Sequence, residues 1–219
     1  AWFVTYLINV APAIIRHFPD GKFSRRILAR TDAAERDVYY KELEAMIRLL
    51  GDHPCLGGWV PFNEGWGQFD SDRISELIAK KDPTRTIDRT SGWHDQHTGD
   101  FVSKHIYFTP IWVPKDERCY LLSEFGGYSC ALEGHRFNPD EEYGYRKYQT
   151  ATEFQQALAR LYREDILPQI KTGLCGTILT QVSDVEDEIN GLVTYDRKIE
   201  KLSPEKMLPV ARALQEAVK

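Results

Sequence analysis

The strongest constraint on how this chain can fold is its alternation of short apolar runs with stretches of helical period. That pattern is the signature of βα units and a parallel sheet. The apolar runs lie at about Phe3–Val10, Leu56–Phe62, Thr86–Thr90, Phe101–Phe108, Tyr120–Ser123 and Gly176–Val182, so six strands are expected. Between them, Tyr39, Leu43, Met46, Ile47 and Leu50 form an apolar stripe along a helix over Ala33–Leu50, which Asp32 and Glu35 can open. Ile74, Leu77 and Ile78 mark a short helix from about Ser71 to Lys80, stopped by Asp82-Pro83. Thr150-x-x-Glu153 opens a helix reaching about Lys171, bent or ended near Pro168 and capped by Gly173. Ser203-Pro204 opens the last helix, with Met207, Val210, Leu214 and Val218 on one face. Gly126–Tyr148, rich in Gly, Tyr and charge, reads as a long loop.

Composition narrows the class. With 219 residues, 42% hydrophobic and 28% charged, the chain can bury the core of one sizeable domain. Its net charge of −5 is spread without a basic stripe, which argues against nucleic acid or an anionic membrane as partner. No apolar run reaches the roughly 18 residues of a membrane span. Ala1–Val10 lacks a basic start and a small-residue cleavage site, so it reads as a strand rather than a leader. Because the chain begins with Ala inside an apolar run, it is expected to be a piece of a longer parent. Cys55, Cys119, Cys130 and Cys175 show no metal-ligand spacing and read as free, mostly buried thiols, leaning toward a reducing, cytoplasmic compartment.

The chemistry gathers at strand ends. In Trp59-Val60-Pro61-Phe62-Asn63-Glu64-Gly65-Trp66 an apolar run stops at an amide, a carboxyl, a glycine and an indole. A second run, Cys119-Tyr120-Leu121-Leu122-Ser123, delivers Glu124 ahead of Phe125-Gly126-Gly127. In parallel α/β folds, reactive residues collect at the C-terminal ends of strands. Trp93-His94-Asp95, His105 with Tyr107 two residues on, and Gln181-Val182-Ser183-Asp184 follow the same rule. Two strand-end glutamates among aromatics suggest glycoside hydrolysis by a carboxylate pair. Trp66 and Trp93 suit sugar faces, while His94, Asp95, Gln181 and Asp184 suit hydroxyls. The acidic run Asp184-Val185-Glu186-Asp187-Glu188 lacks the spacing of a calcium loop. Nothing in the sequence demands a metal, nucleotide or flavin.

Taken in order, Asn63-Glu64-Gly65-Trp66, Ser91-Gly92-Trp93-His94-Asp95, His105-x-Tyr107, Ser123-Glu124-Phe125-Gly126-Gly127 and Ser183-Asp184-Val185-Glu186-Asp187-Glu188-Ile189-Asn190-Gly191-Leu192 resemble the catalytic domain of glycoside hydrolase family 2. That family holds β-galactosidases, β-glucuronidases and β-mannosidases. The resemblance implies a (β/α)8 TIM barrel, here truncated to about strands 3–8, with residues 1–219 a single partial catalytic domain. Leu56–Phe62 would be strand 4, Tyr120–Ser123 strand 7 and Gly176–Val182 strand 8. It further implies β-sandwich domains earlier in the parent, and open edges that favour a homo-oligomer.

Under the resemblance, Glu124 attacks the anomeric carbon. Glu64 protonates the leaving oxygen and later takes a proton from water. Asn63 binds the sugar 2-hydroxyl, and His105 and Tyr107 orient Glu124. Some relatives in the family hold magnesium near the acid/base, but no partner ligands for it are evident here. The family's Trp near the end of strand 8 is missing from Gly176–Val182. Thr194-Tyr195-Asp196-Arg197-Lys198 lacks the Asn of the Asn-x-Lys motif by which glucuronidases hold the sugar carboxylate. A β-galactosidase-like exo-glycosidase acting on a β-linked glycoside is therefore the leading expectation. A non-catalytic carbohydrate-binding fragment and an endo-acting glycanase of the same clan are the alternatives.

Overall fold

The structure, a computed structural model, describes residue 20 and residues 31–65, 67–92 and 94–219. The expected first strand, Phe3–Val10, lies outside the described residues. The protein is a mixed α/β structure with parallel pairing. Its contacts divide it into two compact units, Ala1–His105 with Asp116–Leu121, and Ile106–Lys115 with Leu122–Lys219. The boundary crosses two strands, β3 (Phe101–Ile106) and β4 (Cys119–Gly126).

In the first unit, α1 spans Ala33–Leu50, with the Asp32 side chain accepting from the Ala34 N–H at 2.8 Å. Only part of its apolar stripe is covered: Leu43 and Ile47 are buried, whereas Met46 and Leu50 are 37% and 36% exposed. β1 (Gly58–Trp59) pairs in parallel with β2 (Thr86–Ile87). Both are far shorter than their apolar runs, because in each strand only two residues meet in the ladder. α2 (Ser71–Lys81) begins where the Asp20 carboxylate accepts from the Ser71 N–H and from Gln68 Nε2, a negative charge at the positive end of a helix dipole. Leu43, Ile47, Trp59, Phe62, Phe69, Ile74, Ile78 and Ile87 make one apolar core. Tyr39 stacks on Phe62 and donates to the Pro61 carbonyl at 2.9 Å, which fixes the chain just ahead of Asn63.

In the second unit, β4 lies beside β7 (Leu174–Thr180). The segment expected to be loop contains two strands, β5 (Tyr128–Cys130) and β6 (Arg146–Tyr148), paired in parallel in register Tyr128 to Arg146. α3 (Ala151–Arg160) carries a full capping box between Thr150 and Glu153. It continues as a π-helical segment (Leu161–Ile166) and a short α4 (Leu167–Ile170). Pro168 has no N–H to donate, so the widened turn falls just before it. α5 spans Pro204–Ala217 and buries Val210, while Val218 of its expected apolar face is 70% exposed. All four cysteines are free, but only Cys130 is buried; Cys55, Cys119 and Cys175 are exposed, contrary to the expectation of mostly buried thiols. Among the described residues no helix is long and apolar enough to cross a membrane.

Candidate active site

The first unit presents Glu64 on a turn. Parallel pairing outlasts β1 and β2: Ser91 N–H donates to the Phe62 carbonyl at 2.9 Å, and Glu64 N–H donates to the Ser91 carbonyl at 2.8 Å. Asn63 forms the matching bridge with Ser91 and is exposed. Glu64 and Gly65 then turn left-handed, at φ 55° and 76°. A Cβ at Gly65 would stand 2.2 Å from His94 Cδ2, so only glycine brings the backbone this close to that ring.

The Glu64 carboxyl lies 2.8 Å from His105 Nδ1. The His105 side chain is fully buried, while that of Glu64 is 18% exposed. His105 Nε2 lies 2.8 Å from Ser91 Oγ. Gly92, at φ 104°, leaves room for the imidazole: a Cβ there would come within 2.9 Å of Nδ1. His105 was expected to orient Glu124; within this unit its ring nitrogens meet Glu64 and Ser91.

His94 is buried, its carbonyl accepts from the Thr90 hydroxyl, and burial pulls its imidazole below the usual range. Asp95 is held by a residue the sequence reading passed over. Arg118 Nη1 and Nη2 each donate to one Asp95 oxygen at 2.9 Å. The same guanidinium donates to Asp116, and that bond draws the Asp116 carboxyl down to about 2. Asp95, His97 and Asp116 bring metal-ligand atoms within 4.8 Å of one another, but the Arg118 cation already occupies both carboxylates. Trp66 and Trp93 lie outside the described residues.

The second unit presents Glu124 differently. The expected strand end at Ser123 is not observed: β4 runs on through Glu124 to Gly126. The Tyr107 hydroxyl donates to Glu124 Oε2 at 2.5 Å and lies 3.2 Å from Thr180 Oγ1. Burial, then the bond to Glu124, pushes the Tyr107 phenol far above its usual range, so it stays a donor. Its ring stacks on Tyr145, centroids 3.9 Å apart. Gly127, at φ 59°, admits Tyr145: a Cβ there would stand 2.3 Å from the Tyr145 ring. Tyr107 thus meets Glu124, with Tyr145 and Thr180 as partners that no motif had flagged.

The remaining expected ligands are tied up within the second unit. Gln181 follows a cis peptide bond and donates through Nε2 to Asn190 Oδ1 at 2.7 Å and to Glu188 Oε2 at 2.9 Å. Asp184, 2% exposed, accepts from Lys201 Nζ at 2.7 Å and from the Gly191 N–H at 2.8 Å. Burial raises its pKa, and Lys201 pulls the other way. It closes a buried ion pair rather than facing a ligand. No sequence signal marked that pair, since Lys201 stands in the charged stretch Asp196-Arg197-Lys198-Ile199-Glu200-Lys201.

The chain matches no protein-family model and no curated protein.

Proposed function

We propose that this chain carries the catalytic carboxylates of a retaining β-glycosidase of the glycoside hydrolase family 2 kind, set in a (β/α)8 barrel completed by a longer parent chain. The observation that supports the reading most is the pair of partners drawn from His105-x-Tyr107: an imidazole on Glu64 and a phenol on Glu124. Glu124, held on a strand by the hydroxyl that donates to it, is the nucleophile. Glu64, joined to an imidazole, is the acid/base.

In the first step Glu124 forms a bond to the anomeric carbon as the glycosidic C–O bond breaks, and the Glu64 proton goes to the leaving oxygen. In the second, water attacks that carbon, its proton passes to Glu64, and the bond to Glu124 breaks. Asn63, exposed beside Glu64, is the proposed partner of the sugar 2-hydroxyl. A neutral sugar, galactose-like, remains the leading substrate class. Asp95 and Asp184 drop out of the proposed sugar contacts, since Arg118 and Lys201 claim them.

The test is hydrolysis of nitrophenyl β-glycosides by this chain and by its longer parent, with the anomer of the first product read by NMR. Release of the β-anomer, with loss of activity in Glu124→Gln, is expected. Release of the α-anomer, or undiminished hydrolysis by Glu124→Gln, overturns the reading.

A further inference from the structure

Behind Glu64 the first unit holds a line of buried polar groups with a definite direction. Asp88, the residue after β2, is 4% exposed. Its carboxylate takes hydrogen bonds from the Ser103 and Ser91 side chains. Its Oδ2 is buried with no partner among the described residues, so both bonds fall on the other oxygen. Ser91 Oγ continues the line to His105 Nε2 at 2.8 Å, and His105 Nδ1 continues it to Glu64 at 2.8 Å. Burial raises the Asp88 pKa; the two hydroxyls and His105 pull it back, and Asp95 is the other charge that acts on it.

With Asp88 ionised, the hydrogens along this line can be assigned by counting. An ionised carboxylate only accepts, and a serine hydroxyl has a single hydrogen to give. Once Ser91 gives its hydrogen to Asp88, its oxygen must accept from His105, so Nε2 carries a hydrogen. The contact between Nδ1 and the Glu64 carboxyl then needs one more proton. That proton sits on Glu64 with a neutral imidazole, or on Nδ1 with a carboxylate. Without it, a nitrogen lone pair would face an anionic oxygen at hydrogen-bond distance.

We infer that Asp88, acting through Ser91, fixes the tautomer of His105 so that a single proton is shared between His105 and Glu64. Asp88, Ser91 and His105 are positioning residues in this scheme. The inference rests on Glu64 being the acid/base only for its kinetic consequence. The pair delivers its proton to the leaving oxygen as the C–O bond breaks, and regains one from water in the second step. His105 Nε2–H stays in place throughout.

The closing experiment reads the tautomer directly. Long-range proton–nitrogen correlation spectra of the protein with labelled histidine, assigned with a His105→Asn variant, should show His105 carrying a hydrogen on Nε2. In Asp88→Asn the new amide can donate to Ser91 Oγ; the Ser91 hydroxyl then donates to Nε2, and the hydrogen moves to Nδ1. A neutral wild-type His105 with its hydrogen on Nδ1 alone overturns the inference, whether or not the variant folds. An unchanged tautomer in a folded Asp88→Asn also overturns it.

The kinetic arm compares glycosides with good and poor leaving groups. Asp88→Asn should slow an alkyl glycoside about 10–10²-fold more than a dinitrophenyl glycoside, because only the former needs the acid. Equal slowing of both overturns the inference. An inactive wild-type parent with the expected tautomer removes the glycosidase reading and leaves the buried relay standing. An active parent with the wrong tautomer does the reverse.

Discussion

Glu64 and Glu124 are presented by opposite means. Glu64 occupies a left-handed turn at φ 55°, a conformation uncommon outside glycine, and its carboxyl meets the buried His105 imidazole backed by Ser91. Glu124 sits inside the eight-residue strand β4 and receives a short hydrogen bond from Tyr107, whose ring is clamped on Tyr145. An imidazole gives and takes protons near neutral pH. A phenol pushed above its usual range does neither. The difference teaches which carboxyl fits which proposed role: a partner that exchanges protons suits the proposed acid/base, and a phenol that keeps its proton suits the proposed nucleophile. A double displacement requires that division of labour.

The largest expected effect removes the fixed carboxylate. Glu124→Gln should lower kcat by about 10⁶-fold for every leaving group, the scale on which removing a nucleophile acts elsewhere. Glu64→Gln should instead separate substrates: a loss of roughly 10²–10⁴-fold with poor leaving groups and much less with dinitrophenyl glycosides. Matching profiles for the two variants would erase the contrast.

Lys201→Met probes the scaffold of the second unit. It leaves Asp184 buried without its cation, and should cost about 3–5 kcal/mol in urea unfolding. A loss below about 1 kcal/mol would show that Asp184 reaches water or another donor. Tyr107→Phe removes only the phenol bond and should cost about 1.5–3 kcal/mol of transition-state stabilisation, a drop of roughly 10–150-fold in kcat. An unchanged kcat would show that the strand alone holds Glu124.

The smallest effect belongs to the Arg118 clamp of the first unit. Asp116 titrates at about 2 in the folded chain against an ordinary value of 3.8, chiefly because Arg118 donates to it. A depressed carboxylate contributes stability that is present above its ordinary value and lost as pH falls through the folded value. Urea midpoints measured from pH 4.5 down to 2 should therefore fall less steeply in Arg118→Met than in the wild type. Parallel slopes would detach Asp116 from Arg118.

How much of this could be read in the sequence depended on how local each signal was. Helix starts were legible because a cap acts within a few residues: Asp32 and the Thr150–Glu153 box open their helices where expected. Strand limits were not, because a strand lasts only as long as its partner. The apolar run before Glu64 yields two ladder residues, whereas β4 passes through polar Ser123 and Glu124 to Gly126. β5 and β6 were hidden in what reads as loop, since each has only three residues and their pairing joins distant segments. Both glutamates were visible by type and position. Their surroundings were visible only in part: His105 and Tyr107, which meet Glu64 and Glu124, stand in a motif, whereas Asp88 and Tyr145 behind them carry none.

The central claim is the assignment of the two carboxylates, and covalent trapping tests it most directly. The protein, incubated with a 2-deoxy-2-fluoro-β-glycoside bearing a dinitrophenyl leaving group, should gain the mass of one fluoroglycosyl group. Peptide sequencing should place that group on Glu124. An adduct on Glu64, or steady turnover that inverts the anomeric centre with no adduct formed, would contradict the account.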